Sequence, residues 1–223
     1  MEVKLSDGSV IPMEMHKIKI VQQTNLASIE KRKEAIRSAG FNTFLLHSRD
    51  VFLDMLTDSG TNAMSDNQQS SMLIADDAYA GSESFFRLEK SVQEIFGLRY
   101  VIPAHQGRAC EHLLSHVYVR PGTSVITNYH FTTTKAHINL SGGDVLELIT
   151  DAGRETASSE QFKGNMDLDL LRETIQSHGK DKIAFIRMEA TTNLIGGQPF
   201  SMENLKAVSE IAKAFGIMTI MDC

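Results

Sequence analysis

The sequence predicts an α/β protein in which a mostly parallel sheet is flanked by helices. After the first ~50 residues, short apolar runs alternate with helix-like segments, which is the order typical of a parallel sheet. Hydrophobic residues make up 42% and charged residues 22% of the 223 residues, as in ordinary globular proteins. No repeat or low-complexity linker divides the chain, so we expect one domain or a domain and a half.

Composition excludes several classes of partner. The formal net charge is -6, from 28 acidic and 22 basic residues, and no dense basic block is present, so we expect no nucleic-acid partner. No apolar run approaches the ~18 residues of a membrane span. Cys110 and Cys223 are predicted to be free thiols, and no export signal is recognisable at the N-terminus, so we expect a cytoplasmic protein.

The chain up to about residue 97 is predicted to contain three helices. Ser28 can cap the first, and Gly40 supplies its left-handed exit. Ser65 and Gln68 form a capping box that opens the second. In the third, apolar residues recur at helical spacing up to Gly97. The predicted bounds are about Ser28–Ala39, a short helix after Ser65, and about Ser82–Phe96, with an extended run at Val51–Leu56 and a polar loop at Thr57–Asn62.

Beyond residue 97, strands and helices alternate. Asp167 caps one helix, and Gly179 and Gly216 each follow a helix where a left-handed exit is needed. The predicted strands are Tyr100–Ile102, Val125–Ile126, Val145–Ile149, Ile183–Met188 and Ile217–Met221. The predicted helices are Ala109–Tyr118, a stretch after Phe131, Asp167–His178 and Ser201–Phe215.

Polar segments follow four of the predicted strands. Open α/β sheets bind ligands at the carboxyl ends of their strands, because loops and helix N-termini converge there. We therefore expect the functional site at this edge of the sheet. The four segments are His105–Arg108, Asn128–Thr134, Thr191–Gln198 and Asp222.

The turn Gln106-Gly107-Arg108 is a candidate phosphate site. It precedes a predicted helix, whose N-terminal N–H groups and dipole attract anions, and it places an arginine beside them. An ordinary strand-to-helix turn with a solvated arginine is an equally good interpretation. The turn is neither a P-loop nor a GxGxxG motif, so nucleotide binding finds no support.

Asp222 directly follows an apolar strand. A carboxylate in such a place needs a cationic or hydrogen-bonding partner, so it is either functional or the cap of a following helix. A phosphate-binding turn and a strand-end aspartate in one crevice are the two features that pyridoxal phosphate requires.

Other chemistry-bearing residues have simpler interpretations. His112 and His116 have a metal-ligand spacing, but no H-E-x-x-H motif or third ligand accompanies them, and a solvated helix face is expected. From periodicity alone, Tyr79 and Phe131 would be packed aromatic residues.

Five stretches resemble the tyrosine phenol-lyase and tryptophanase family of pyridoxal phosphate enzymes, in the family's order and spacing. The resemblance begins near residue 17 and continues to the last residue. It implies the aminotransferase-like fold (fold type I), a homotetramer and a monovalent cation such as K+. Residues 1–56 would form an arm and part of a small domain, and residues 57–223 the first part of the large cofactor-binding domain. The five stretches are Leu56–Asp66, Ala78–Ser82, Pro103–Arg108, Phe131–Thr134 and Asn193–Pro199.

The resemblance also implies roles for individual residues. Gln106, Gly107 and Arg108 would bind the phosphate of the cofactor, and Phe131 would stack on its ring. Asn193 would bind its phenolic oxygen, and Asp222 would pair with its ring nitrogen. The substrate carboxylate would be bound by Thr57, Ser59 and Asn193. Tyr79 would protonate the leaving aromatic ring, reaching across from a neighbouring subunit, and Thr132 would contact a phenolic hydroxyl. Gly60 and Asp77 would bind the cation, although the family has glutamate where Asp77 stands.

The implied activity is β-elimination on an aromatic L-amino acid, releasing phenol or indole together with pyruvate and ammonia. Phe131–Thr134 is closer to the phenol-lyase form, whereas Arg187 and Glu189 depart from both forms and leave a different amino-acid substrate open. In the family, the lysine that binds the cofactor covalently lies beyond Cys223, and neither Lys135 nor Lys163 has matching surroundings. A truncated, non-catalytic fragment is therefore the alternative.

Overall fold

The computed structural model describes residues 2–12, 23–54 and 64–223. The chain divides into two compact units, residues 1–84 and 85–223. The first unit holds an antiparallel hairpin and two helices. They are β1 (Glu2–Lys4), β2 (Val10–Pro12), α1 (Ile29–Ser38) and α2 (Asp66–Ile74), with single 3-10 turns at Thr43–Leu45 and Ser48–Asp50.

The predicted caps of the first unit are confirmed. The Ser28 hydroxyl accepts the Lys31 N–H at 3.3 Å, and the Ser65–Gln68 capping box is complete in both directions. The hairpin was not predicted, because strands of three residues carry too little alternation to detect. The described part of the predicted extended run, residues 51–54, contains bends instead of a strand.

The second unit is built on a four-stranded sheet in the order β4-β3-β5-β6, with every pairing parallel. Its helix α3 begins in the last two residues of the first unit. The strands are β3 (Ser124–Thr127), β4 (Asp144–Glu147), β5 (Ile183–Glu189) and β6 (Thr219–Asp222). The helices are α3 (Glu83–Phe96), α4 (Gly107–Tyr118), α5 (Thr132–Leu140), α6 (Asp151–Arg154), α7 (Leu168–His178) and α8 (Met202–Phe215).

The central strands β3 and β5 are buried on both faces of the sheet, and their alternate residues point to opposite sides. Ile126 and Ile186 pack on one face in the larger core, and Val125 and Phe185 pack on the other with Ile138 of α5. Each fully buried aliphatic side chain contributes about 1.5–3 kcal/mol to stability. The predicted α/β class, with a parallel sheet flanked by helices, is confirmed. The helices of the larger core contribute Leu171 and Ile175 from α7 and Val208, Ile211 and Ala212 from α8.

Some predicted strand bounds are wrong. Residues 100–102 do not form a strand, and Tyr100 and Ile102 are 71% and 83% exposed. An apolar run becomes a strand only beside a partner that satisfies its N–H and C=O groups, and no described strand pairs with this run. β4 ends two residues before Ile149, which instead forms an antiparallel bridge with Met166.

The predicted domain boundary, between residues 56 and 57, falls in residues 55–63, outside the described part of the chain, and stays a prediction. Within the described ranges, none of the helices has the length and apolar character needed to cross a membrane.

Candidate functional site

The carboxyl ends of β3, β4, β5 and β6 meet at one edge of the sheet, since the four strands are parallel. Three of the predicted polar segments start there: the one from Asn128, the one from Thr191, and Asp222 itself. The fourth, 105–108, does not follow a strand but opens α4.

Asn128 fixes the edge between β3 and β5. Its side chain is fully buried, and its Oδ1 accepts the Glu189 N–H at 2.9 Å. Its Nδ2 donates to the carbonyl oxygens of Glu189 at 3.1 Å and Gly164 at 3.0 Å. The side-chain amide therefore takes the place of a further peptide unit of β3 and continues the ladder past the end of the strand.

Arg187 lies between two carboxylates beside this edge. Its Nη1 is 3.0 Å from Glu189 Oε2, and its Nη2 donates to Asp222 Oδ2. The side chains of Arg187 and Glu189 are 4% and 7% exposed, whereas that of Asp222 is 46% exposed. Glu189 faces the same side of the sheet as Asp222 because the two residues are in register. The site thus contains a buried cation bridging one buried and one accessible anion.

The segment that follows β5 carries Asn193, which begins a single 3-10 turn. The Asn193 N–H donates to Glu189 Oε1 at 3.2 Å, and the Asn193 side chain is exposed. Thr191 has φ 53°, a left-handed conformation that is strained for a β-branched residue. Thr192 holds this geometry through a 2.9 Å bond from its hydroxyl to the Gln198 carbonyl oxygen.

A second charged group lies at the ends of β3 and β4. Glu147 Oε1 is 2.6 Å from His130 Nδ1 and 3.1 Å from Lys135 Nζ. Burial alone would raise the pKa of Glu147, but the hydrogen bond from Lys135 and the charge of His130 outweigh burial and hold the pKa below its ordinary value of 4.5. Glu147 therefore stays ionised at neutral pH.

The predicted phosphate-binding turn lies at the N-terminus of α4. Thr134 in the first turn of α5 donates a 2.7 Å hydrogen bond to Glu111 in the second turn of α4, so these two helix starts lie side by side. The Gln106 side chain makes no cap hydrogen bond. The Ala109 N–H donates to the Gln106 carbonyl oxygen at 3.0 Å, and the N–H groups of the two residues between them are left available for an anion. A Cβ atom at Gly107 would find no described atom within 4 Å. The turn therefore has both the donors and the room for an anion.

Phe131 and Thr132 lie where α5 begins, beside the α4 turn. Phe131 is the N-cap residue and is half-buried, while Thr132 is the first helical residue and is exposed. Neither Lys135 nor Lys163 is free in the structure: Lys135 pairs with Glu147, and Lys163 Nζ donates to the Glu155 carbonyl oxygen at 2.7 Å.

Tyr79 belongs to the first unit, at the tip of a loop closed by Asp76. The Asp76 carboxylate accepts bonds from the Ser84 side chain, the Ser84 N–H at 2.9 Å and the Glu83 N–H at 2.9 Å, and these bonds hold its pKa well below the usual range. Asp76 thereby caps α3, and Tyr79 is fully exposed.

The predicted cation site stays a prediction, because the structure describes only one of its two residues. Gly60 lies outside the described residues, as do Thr57 and Ser59, and Asp77 is exposed. Among the described residues, no group of three or more His, Cys, Asp or Glu side chains is placed to hold a metal ion, and that includes the area around His112 and His116. A surface cleft of about 470 Å³ lies in the first unit beside α1 and carries none of the predicted site residues.

Sequence patterns missed the roles of Asn128, Asp76 and the Arg187–Glu189 pair. From the sequence, the two charges in the apolar run of β5 were related only to the choice of substrate. A further signal was available: opposite charges two apart in a buried strand point to the same face and can pair there.

Comparisons with known proteins identify the family to which the chain belongs. The model of the family described as "Beta-eliminating lyase" matches residues 54–223. Tyrosine phenol-lyase from Symbiobacterium thermophilum is 48% identical over 204 residues, covering 92% of this chain and 44% of the relative. Tyrosine phenol-lyase from Nostoc punctiforme is 45% identical over 209 residues, covering 94% and 45%. The chain thus spans about half the length of these curated relatives. It belongs to the beta-eliminating lyase family.

Proposed function

We propose that the protein carrying this chain is a pyridoxal 5'-phosphate-dependent lyase that cleaves an aromatic side chain from an L-amino acid. With water, tyrosine would yield phenol, pyruvate and ammonia, and tryptophan would yield indole in place of phenol. The similarity to tyrosine phenol-lyases over more than nine-tenths of the chain is the observation that carries this proposal.

The residues present suit this cofactor. The N-terminal turn of α4, with Gln106, Gly107 and Arg108, would hold the phosphate through backbone N–H groups and a guanidinium. Asp222 keeps an accessible carboxylate at the strand edge and would accept a hydrogen bond from the protonated ring nitrogen, which it would stabilise. Phe131 would cover one ring face, and Asn193 would bind the phenolic oxygen. When bound, pyridoxal phosphate supplies an electron sink for the negative charge left at Cα.

Substrate recognition would use a further set of residues. Thr57 and Ser59 would bind the substrate carboxylate together with Asn193, and Thr132 would contact the hydroxyl of a phenol. Phe131–Thr134 favours tyrosine over tryptophan as the substrate. The buried charges of Arg187 and Glu189 leave an amino acid other than tyrosine or tryptophan as an alternative substrate.

Tyr79 would be the proton donor to the departing ring. A tyrosine hydroxyl carries a proton that it can donate, so Tyr79 has the chemistry of a general acid. Full exposure of the Tyr79 side chain suits a role in a neighbouring subunit's site, within the homotetramer that we propose. We also propose a K+ site at Gly60 and Asp77 and a cytoplasmic location.

Pyruvate formation tests the proposal. The full-length protein is incubated with pyridoxal phosphate and, in separate reactions, with L-tyrosine and L-tryptophan, and pyruvate is followed by coupled reduction to lactate. Preferential turnover of tyrosine is expected. Inactivity toward both amino acids would reject both aromatic substrates while leaving the family membership intact.

A further inference from the structure

The ion pairs of Arg187 raise a question of charge at the proposed ring-nitrogen site. Arg187 Nη2 donates to Asp222 Oδ2, and Arg187 is almost completely buried. A carboxylate paired one-to-one with a guanidinium forms a neutral group. Such a neutral pair would stabilise a protonated pyridine ring less than a lone aspartate would.

Glu189 changes this balance. Its carboxylate lies 3.0 Å from Arg187 Nη1, so the three side chains together carry two negative charges and one positive charge. The group has a net charge of -1, and its accessible end is the Asp222 carboxylate. A protonated ring nitrogen at Asp222 would complete an alternating row of charges: Glu189, Arg187, Asp222 and the ring.

The geometry holds Glu189 firmly in this role. Its backbone N–H and C=O both bond to the Asn128 side chain, and its Oε1 accepts the Asn193 N–H at 3.2 Å. Glu189 therefore contacts the arginine that binds Asp222 and also the backbone of Asn193, which is proposed to bind the phenolic oxygen of the cofactor. These contacts hold the Glu189 carboxylate beside the Arg187 guanidinium, so the charge of Arg187 stays paired.

We propose that Glu189 is a positioning residue that offsets the charge of Arg187, so that Asp222 retains the negative charge needed to keep the cofactor's ring nitrogen protonated. This inference rests on the proposed function. It assigns a purpose to the two buried charges in the apolar run of β5.

The test uses Glu189→Gln, which keeps the shape of the side chain and removes its charge. Full-length variants are loaded with pyridoxal phosphate carrying 15N at the ring nitrogen, and 15N NMR at pH 7 reports the protonated fraction. The wild type is expected to show a protonated nitrogen. Glu189→Gln is expected to shift it toward the neutral form and to weaken apparent cofactor affinity about tenfold, as for loss of a charged hydrogen-bond network.

The double variant Arg187→Met with Glu189→Gln supplies the matched control. It removes one positive and one negative charge, so the net charge of -1 on Asp222 is restored, and the protonated 15N signal is expected to return. This variant leaves no unpaired buried charge, so it remains informative if Glu189→Gln alone does not fold. A neutral ring nitrogen in the double variant would overturn the inference.

A cofactor analogue with carbon in place of the ring nitrogen separates charge from shape. Wild type and Glu189→Gln are expected to bind this analogue equally. An equal loss for the analogue and for pyridoxal phosphate would show that Glu189 only supports Asn193, and would overturn the inference. A wild-type protein that binds no pyridoxal phosphate would instead reject the proposed function itself.

Discussion

The side-chain amide of Asn128 pairs with both backbone groups of Glu189, accepting its N–H at 2.9 Å and donating to its C=O at 3.1 Å. This contact joins the end of β3 to the end of β5. It also connects the fold to the candidate site, because Glu189 contacts Arg187 and, through its other oxygen, the N–H of Asn193.

Replacing Asn128 with alanine should therefore destabilise the protein strongly. The change removes three hydrogen bonds and leaves buried backbone groups of Glu189 and Gly164 without partners. We expect the free energy of unfolding to fall by about 3 kcal/mol, measured by urea denaturation. Asn139→Ala, at an exposed position in α5, is the control and should change stability by less than about 0.5 kcal/mol. Equal stabilities of the two variants would show that the Asn128 amide contributes no net stabilisation.

Thr191→Gly should stabilise the chain. Thr191 has φ 53°, and glycine adopts this conformation without strain, so we expect a gain of about 1 kcal/mol in thermal or urea unfolding. Thr156→Gly is the matched control: Thr156 is exposed and is not among the residues with positive φ, so glycine there should destabilise through the entropy of the unfolded chain. If Thr191→Gly destabilised the protein, the proposed backbone strain at Thr191 would be contradicted.

Glu147→Gln should lower stability in a pH-dependent way. The folded pKa of Glu147 is depressed, so its ionised form contributes stability that is present above 4.5 and is lost as pH falls through the lower folded value. At pH 7 we expect the variant to be less stable by about 1 kcal/mol, because the contacts with Lys135 and His130 lose their charge. Urea denaturation from pH 7 down to pH 3 should show the difference shrinking. If the difference in stability between wild type and Glu147→Gln stayed constant over this pH range, the stabilising role of the ionised Glu147 carboxylate would be contradicted.

Tyr79→Phe should separate two steps of the proposed reaction. The hydroxyl is proposed to protonate the leaving ring and not to remove the Cα proton. Exchange of the Cα hydrogen in deuterium oxide should survive, while release of phenol falls by ~100-fold or more. Unchanged release would reduce Tyr79 to an exposed aromatic residue without catalytic function.

The elements that the sequence could predict are those with strong local signals. The Ser65–Gln68 box, the Asp167 cap and the glycine after α8 each determine a helix end through neighbouring residues, and all are present in the structure. Residues 100–102 have an equally good local pattern, but a strand depends on a partner distant in sequence, and none of the described strands lies beside them.

The site was predictable only in part, for the same reason. The location of Asp222 and Asn193 at the carboxyl edge of the sheet could be predicted, because both follow strands of a parallel sheet. The ion pair of Asp222 with Arg187 could not be predicted, because Arg187 lies 35 positions away and contacts Asp222 only after β5 and β6 pair. The Asn128–Glu189 contact likewise spans 61 positions.

Cofactor affinity of two single variants tests the central claim most directly. Pyridoxal phosphate is titrated into full-length wild type, Arg108→Gln and Asp222→Asn, and the apparent dissociation constants are compared. Because Arg108 is proposed to bind the phosphate and Asp222 the ring nitrogen, each variant should bind at least about tenfold more weakly. Wild-type affinity in both variants would contradict a cofactor held between the start of α4 and the end of β6.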